Sequence, residues 1–171
     1  MRSSHESPRV RVSRVRASGV ARLGRAWGRL FDPPADSAAL RAYLGDSRNL
    51  FLVATAGSRA VGFLRATRLG QLHTRRPQLF IYEIGVVPGF RRRGVGTALI
   101  RNVLAYCGRN RFEEAFVLTD PGNRAAVGLY RATGAITETR GDRMFVYRIR
   151  RRPRNGRTST HRNGADSRRS T

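Results

Sequence analysis

"LFIYEIGVVPGFRRRGVGTALIRNVLAYCG", residues 79–108, holds the decision about the fold. Its first nine residues are apolar at almost every position, the pattern of a strand covered on both faces in the middle of a sheet. Pro88-Gly89 stops that strand. From Val95 the apolar spacing changes, and Val95, Leu99, Val103 and Cys107 fall along one side of a helix. Between the two periods stand Arg91, Arg92, Arg93, Gly94 and Gly96, a cationic lip with bare backbone at the mouth of the helix. The free amides of a first helical turn point outward, and the helix dipole favours an anion there. A dinucleotide fingerprint would need a third glycine where Leu99 stands, and a P-loop would need a lysine that the chain lacks. The spacing alone leaves a pyrophosphate cradle and an ordinary basic turn both open.

Working outward, "RVRVSRV" alternates as a short first strand, and "SGVARLGRAWGRLF" places Val20, Leu23, Trp27 and Leu30 at helical spacing. "DPPADSAALRAYLGD" is a turn and a short helix carrying Leu40, Tyr43 and Leu44. Two apolar runs around Ala56-Gly57-Ser58-Arg59 predict a hairpin. After the central strand and helix, "EEAFVLTD" predicts a second buried strand. "NRAAVGLYRATG" predicts a helix closed by Gly134, and "DRMFVYRI" an alternating last strand. This order gives a single mixed α/β layer structure.

The 171 residues, 40% hydrophobic, suffice for one domain with a real core. No apolar run approaches the roughly 18 residues of a membrane span, and the basic N-terminus lacks the apolar stretch of a secretory signal. One cysteine, Cys107, excludes an internal disulfide and fits a reducing, cytoplasmic setting. The net charge of +23 comes from arginine alone, and more than half of the excess lies in residues 1–27 and 150–171. Residues 1–8 and the tail 150–171 are expected to be disordered, the tail able to make non-specific polyanion contacts. No His, Cys and carboxylate cluster has metal-ligand spacing, so no metal is expected.

Strand, Pro-Gly turn, then Arg91-x-x-Gly94-x-Gly96 opening a helix resembles the acetyl-CoA-binding motif of the GNAT acetyltransferase superfamily. About thirty residues on, "TDPGNRAAVGLYRATGA" is similar to its next motif, an Asn opening a helix that bears Leu-Tyr and ends at Gly. "LFDPPADSAALRAYLGDSRNLFLVA" and the Tyr82-Glu83 pair look like the aminoglycoside 3-N-acetyltransferase branch. The resemblance covers residues 9–149. It implies an α/β (α+β) domain with a single mixed, mostly antiparallel sheet, helices on both faces and splayed central strands.

It also implies roles. Acetyl-CoA would be the co-substrate, its pyrophosphate on the amides of Arg92, Arg93, Gly94, Val95, Gly96 and Thr97, with the arginine side chains of Arg91–Arg93 outside. The pantetheine would run beside Ile84, Gly85 and Val86, where the Val86 amide could polarise the thioester. Gly85 would mark a bulge or a close approach, or simply lie under a large neighbour. Asn123 would cap its helix and touch the pantetheine. Glu83, the one acid in an apolar strand, is the candidate base or amine-positioning group, or else pairs structurally with an arginine. Burying it would otherwise be costly. Tyr130 is the candidate general acid for the departing thiolate, or a core tyrosine. Tyr82, Glu83 and Asp120 would face a small-molecule amine acceptor, with His73 nearby or merely exposed. The best fit is an aminoglycoside or polyamine-like amine. A protein N-terminus, a lysine or another metabolite amine is the alternative, and a non-catalytic acyl-CoA-binding or nucleic-acid-associated module is a third. The aminoglycoside branch usually carries several acids where this chain has only Asp120. Many members of the superfamily pair, so a homodimer is the assembly to look for.

Overall fold

The computed structural model describes residues 9–19, 30–31 and 35–137. The chain divides between Ile136 and Thr137 into two units, of which the second, Thr137 apart, lies outside the described residues. The expected strand at 142–149, the domain boundary at 149, the tail, residues 1–8 and most of the helix expected around Val20–Trp27 also lie outside them.

Five strands are described: β1 (Val10–Arg14), β2 (Asn49–Ala56), β3 (Arg59–Leu69), β4 (Gln78–Val86) and β5 (Glu114–Val117). They pair in chain order, the first four antiparallel and β5 parallel to β4. The hairpin forms where the sequence places it: Ala56 pairs with Arg59, and Gly57 takes φ 59°, the positive value that a two-residue turn asks of its first central residue.

Three helices of eight or more residues are described: α1 (Ser37–Gly45), α2 (Val95–Arg109) and α3 (Arg124–Ala132). Side-chain alternation along β2 decides what each face receives. Leu50, Leu52 and Ala54 join Val95, Leu99, Val103 and Cys107 of α2, while Phe51 and Val53 face Leu40, Tyr43 and Leu44 of α1. Helices therefore cover both faces. Each fully buried Leu or Phe in these clusters stabilises the fold by about 1.5–3 kcal/mol. Asp36 caps α1 by accepting from the Ala39 amide at 2.7 Å, and the Tyr43 hydroxyl donates to the Ala66 carbonyl at 2.9 Å, fastening α1 to β3.

Two bulges reshape the sheet. Ala54 pairs with Gly62 but Thr55 with Ala60, so Val61 is the extra residue of β3. Arg65 pairs with Glu83 but Ala66 with Ile81, so Tyr82 is the extra residue of β4. The β4 bulge thus falls at Tyr82 and not at Gly85, where the sequence suggested one. Gly85 is explained by packing: a Cβ there would overlap the ring of the buried Phe63.

β5 departs from expectation too. It has only four residues, half-buried or exposed, rather than a buried strand over 113–120. Pairing with β4 runs from Gln78–Glu114 to Ile81–Val117 and ends there. The two central strands separate from that point, as the splay requires.

Candidate active site

Beyond Ile81 no described strand pairs with the outer edge of β4. The Val87 amide donates inward to Val61 at 3.0 Å. By alternation the backbone groups of Val86 and Ile84 turn outward into the open seam, while those of Gly85 turn toward β3. Of the three residues expected beside a pantetheine arm, Ile84 and Val86 therefore offer their amides. The Val86 carbonyl already accepts from Arg91 Nε at 3.1 Å, so the Arg91 side chain folds back onto β4 instead of standing outside.

A 3-10 turn, Pro88–Phe90, carries the chain from β4 to the helix mouth. Arg92 and Gly94 both adopt left-handed backbone, φ 60° and 78°. For arginine this conformation is uncommon, and it clusters at sites where the surroundings impose it. Successive amides in such a turn form an anion-binding concavity. Gly94 is the N-cap of α2 and provides no side-chain cap. The first helical bond is Ala98 to Gly94 at 2.9 Å, so the amides of Val95, Gly96 and Thr97 have no acceptor within the helix. A Cβ at Gly94 would meet nothing within 4 Å, so its backbone angle alone calls for glycine there. Gly96 has a further reason: a Cβ there would lie 3.0 Å from Leu129 of α3, so this glycine lets the two helices close.

Arg92 and Arg93 are exposed at this mouth. Nothing local in the chain points to Arg59, whose guanidinium lies 5.7 Å from the centre of the Phe90 ring while that of Arg93 lies 5.8 Å from it. The β2–β3 hairpin thus adds a cation beside the turn, a proximity that the β3–β4 register creates.

Asn123 caps α3, accepting from the Ala126 amide at 3.1 Å. At the other end Gly134, φ 93°, donates to the Arg131 carbonyl and Ala135 to the Tyr130 carbonyl, the paired bonds of a Schellman closure. Tyr130 is half-buried among the residues of the α2-side cluster, and burial raises its phenol above the ordinary value. The neutral, proton-carrying form is thereby favoured.

Glu83 differs from expectation. Its side chain is 44% exposed rather than buried, and its Oε2 accepts from Arg65 Nε at 2.6 Å. Apolar neighbours misled because the bulge turns Tyr82 and Glu83 together to the face opposite Leu79 and Ile81. Arg65 alternates with Leu64 and Ala66, so it lies on that same face, its guanidinium 4.1 Å from the centre of the Tyr82 ring. Phe80 meets Tyr82 edge-on at 5.7 Å and stacks on Phe116 at 5.1 Å. Tyr82, Glu83, Arg65 and Phe80 thus form one surface, on the face of the sheet opposite the cluster that Tyr130 packs against.

Asp120 is not brought into this group. It is exposed, and its carboxylate accepts from the Gly122 amide at 2.6 Å in the turn before α3. His73 is exposed and lines a pocket of about 450 Å³ in the loop between β3 and β4, with Arg68 and Arg75 but none of the residues above. Cys107 is buried against α2's neighbours, and desolvation pushes its thiol up to about 11, as suits an inert core residue. Among the described residues no group of three or more His, Cys, Asp or Glu stands together as metal ligands, and no helix is long and apolar enough to cross a membrane.

The acetyltransferase (GNAT) family model matches residues 20–135. The N-alpha-acetyltransferase RimI of Mycobacterium tuberculosis is 33% identical over 118 residues, 69% of this chain and 70% of that protein. N-acetyltransferase family 8 member 3 of Mus musculus is 29% identical over 115 residues, 66% of this chain and 50% of that protein, so the chain spans about half the length of these mammalian relatives. Among solved structures, an aminoglycoside acetyltransferase from an uncultured soil metagenomic sample superposes with TM-score 0.74 at 25% identity, over 82% of this chain and 97% of that one. Sheet, seam, helix mouth and family model agree, and this chain belongs to the GNAT acetyltransferase family.

Proposed function

We propose that this chain transfers an acetyl group from acetyl-CoA to a primary amine. The observation that carries the proposal is the uncapped mouth of α2. Unpaired amides from Val95 to Thr97, a left-handed Gly94 and exposed arginines open directly off the free edge of β4. A pyrophosphate suits those amides and cations. A pantetheine arm suits the outward amides of Ile84 and Val86, which it can join as an added strand.

The residues then divide the chemistry. The amine lone pair attacks the thioester carbonyl carbon, the carbon–sulfur bond breaks, and the thiolate leaves with a proton. Glu83 takes the ammonium proton, directly or through water, using the carboxylate oxygen that Arg65 leaves free. The Val86 amide, turned to the free edge of β4, polarises the carbonyl. Tyr130, kept neutral by burial, supplies the proton for the thiolate. A cytoplasmic setting fits the reduced, buried Cys107.

For the acceptor, the local charges favour an amine of modest charge. Glu83 is already held by Arg65 and Asp120 by its own turn, which leaves little to bind a polycation. The α-amine of a peptide or small molecule fits this best, and the likeness to an N-alpha-acetyltransferase supports it. The aminoglycoside reading rests on the likeness in fold to an aminoglycoside acetyltransferase. Thiol release from acetyl-CoA, with products identified by mass spectrometry, separates the two over a panel of aminoglycosides, spermidine and short peptides. Acetylated product from at least one amine is expected. Silence over the whole panel, with acetyl-CoA bound, would count for a non-catalytic acyl-CoA-binding module.

A further inference from the structure

Acetyl transfer itself assigns nothing to Arg65, although it lies closer to Glu83 than any other described cation. Its Nε donates to Glu83, and its plane is held near the Tyr82 ring. The guanidinium carries five N–H donors in a rigid fork. Among the described residues none accepts from its two Nη groups, and the side chain is 34% exposed. An exposed pair of this kind contributes little to stability, so fold stability does not explain it. The arrangement instead presents a cation fixed on two sides, with its outer edge open on the acceptor face of the seam.

We infer that Arg65 is a specificity residue that binds a carboxylate carried by the acceptor close to its reacting amine. This inference rests on the acetyl-transfer proposal. Glu83 and Arg65 together form a charge pair complementary to a zwitterion: the acceptor's ammonium meets the free oxygen of Glu83 while its carboxylate meets the Nη edge of Arg65. Because the two side chains are in contact at 2.6 Å, amine and carboxylate must be separated by only a few bonds. A polycation has nothing to offer this fork and is repelled by it. The same carboxylate chemistry comes from a free amino acid or from an acidic side chain next to a peptide's N-terminus. The aromatic edge of Phe80, Phe116 and Tyr82 beside the pair favours an apolar group on the acceptor as well.

The test compares acceptors that differ only in that charge: L-phenylalanine against L-phenylalaninamide, and an Ala-Asp peptide against its Ala-Asn counterpart. For each pair the ratio of kcat/KM is measured in the native protein, Arg65→Gln and Arg65→Lys, so that any effect of the substitution on Glu83 cancels within the ratio. N-acetyl-L-phenylalanine and its amide are also titrated calorimetrically into CoA-loaded protein, which reads the preference without turnover. The native protein is expected to favour the acid by about tenfold or more in at least one pair. Arg65→Gln should bring that ratio close to one, and Arg65→Lys should retain part of it, since lysine keeps the charge but loses the fork. The pair that shows the preference identifies the source of the carboxylate. A ratio near one in native protein for both pairs, a ratio that survives Arg65→Gln, or a better rate with an aminoglycoside or spermidine overturns the inference. If CoA fails to bind, the acetyl-transfer proposal falls instead, and the same acid and amide titrations on the protein alone still decide for or against Arg65.

Discussion

Replacing Gly94 separates backbone geometry from charge at the mouth of α2. Gly94 holds φ 78°, and a Cβ there would touch nothing within 4 Å. Alanine and glutamate therefore incur the same backbone penalty, about 1–2 kcal/mol for a left-handed L-residue. In a chain of this size that lowers Tm by roughly 2–8 °C. They differ at the anion site. Each amide of Val95, Gly96 and Thr97 that bonds a phosphate oxygen contributes about 1.5–3 kcal/mol. A carboxylate at position 94 that displaces two of these bonds costs roughly 3–6 kcal/mol, and like-charge repulsion adds to that. Acetyl-CoA affinity should fall by at least about a hundredfold in Gly94→Glu and by less than about tenfold in Gly94→Ala. Calorimetric titration measures the affinities and differential scanning calorimetry the shared loss of Tm. If Gly94→Glu binds acetyl-CoA within about threefold of native protein, the pyrophosphate does not lie on α2. If alanine loses as much affinity as glutamate, backbone shape rather than charge governs the site.

Three other substitutions probe separate links. Tyr130→Phe should lower kcat by about tenfold or more with little change in KM, because the proton donor is lost and the packing kept; equal turnover would reduce Tyr130 to a core residue. Gly85→Ala should destabilise the fold by about 1–3 kcal/mol through overlap with Phe63, and much of that loss should disappear in a Phe63→Leu background. Simple additivity in that double-mutant cycle would show that the ring is not the obstacle. Cys107 has its folded pKa raised from 9.0 to about 11, so it contributes stability that is fully present below about pH 9 and lost as pH rises toward 11. Denaturant midpoints of Cys107→Ala should therefore fall less steeply over that alkaline range than those of native protein, and identical slopes would contradict the burial effect.

The order of elements from β1 to α3 was legible because each carries a local signal. Gly57 marks a hairpin, Asn123 and Gly134 mark the ends of α3, and a change of apolar period marks the passage from β4 to α2. What could not be read depends on register between distant residues. An unbroken apolar run carries no alternation, so the extra residue at Tyr82 left no trace, and with it went the exposure of Glu83. Arg65 and Glu83 are eighteen positions apart and meet only because β3 and β4 pair as they do. Arg59 reaches Phe90 for a similar reason. Gly96 was legible as a glycine of the motif, but its contact with Leu129 is a matter of how two helices pack. The acids suffered most: Asp120 is legible as an acid near a motif, yet local turn geometry commits it to Gly122.

Hydrogen exchange of the backbone amides, with and without saturating acetyl-CoA, tests the central claim most directly. Binding at the seam and helix mouth should slow exchange together at Ile84, Val86 and Arg92–Thr97, and leave the loop from Gly70 to Pro77 unchanged. Protection confined to that loop, or no protection at Val95–Thr97 while acetyl-CoA is bound, would contradict it.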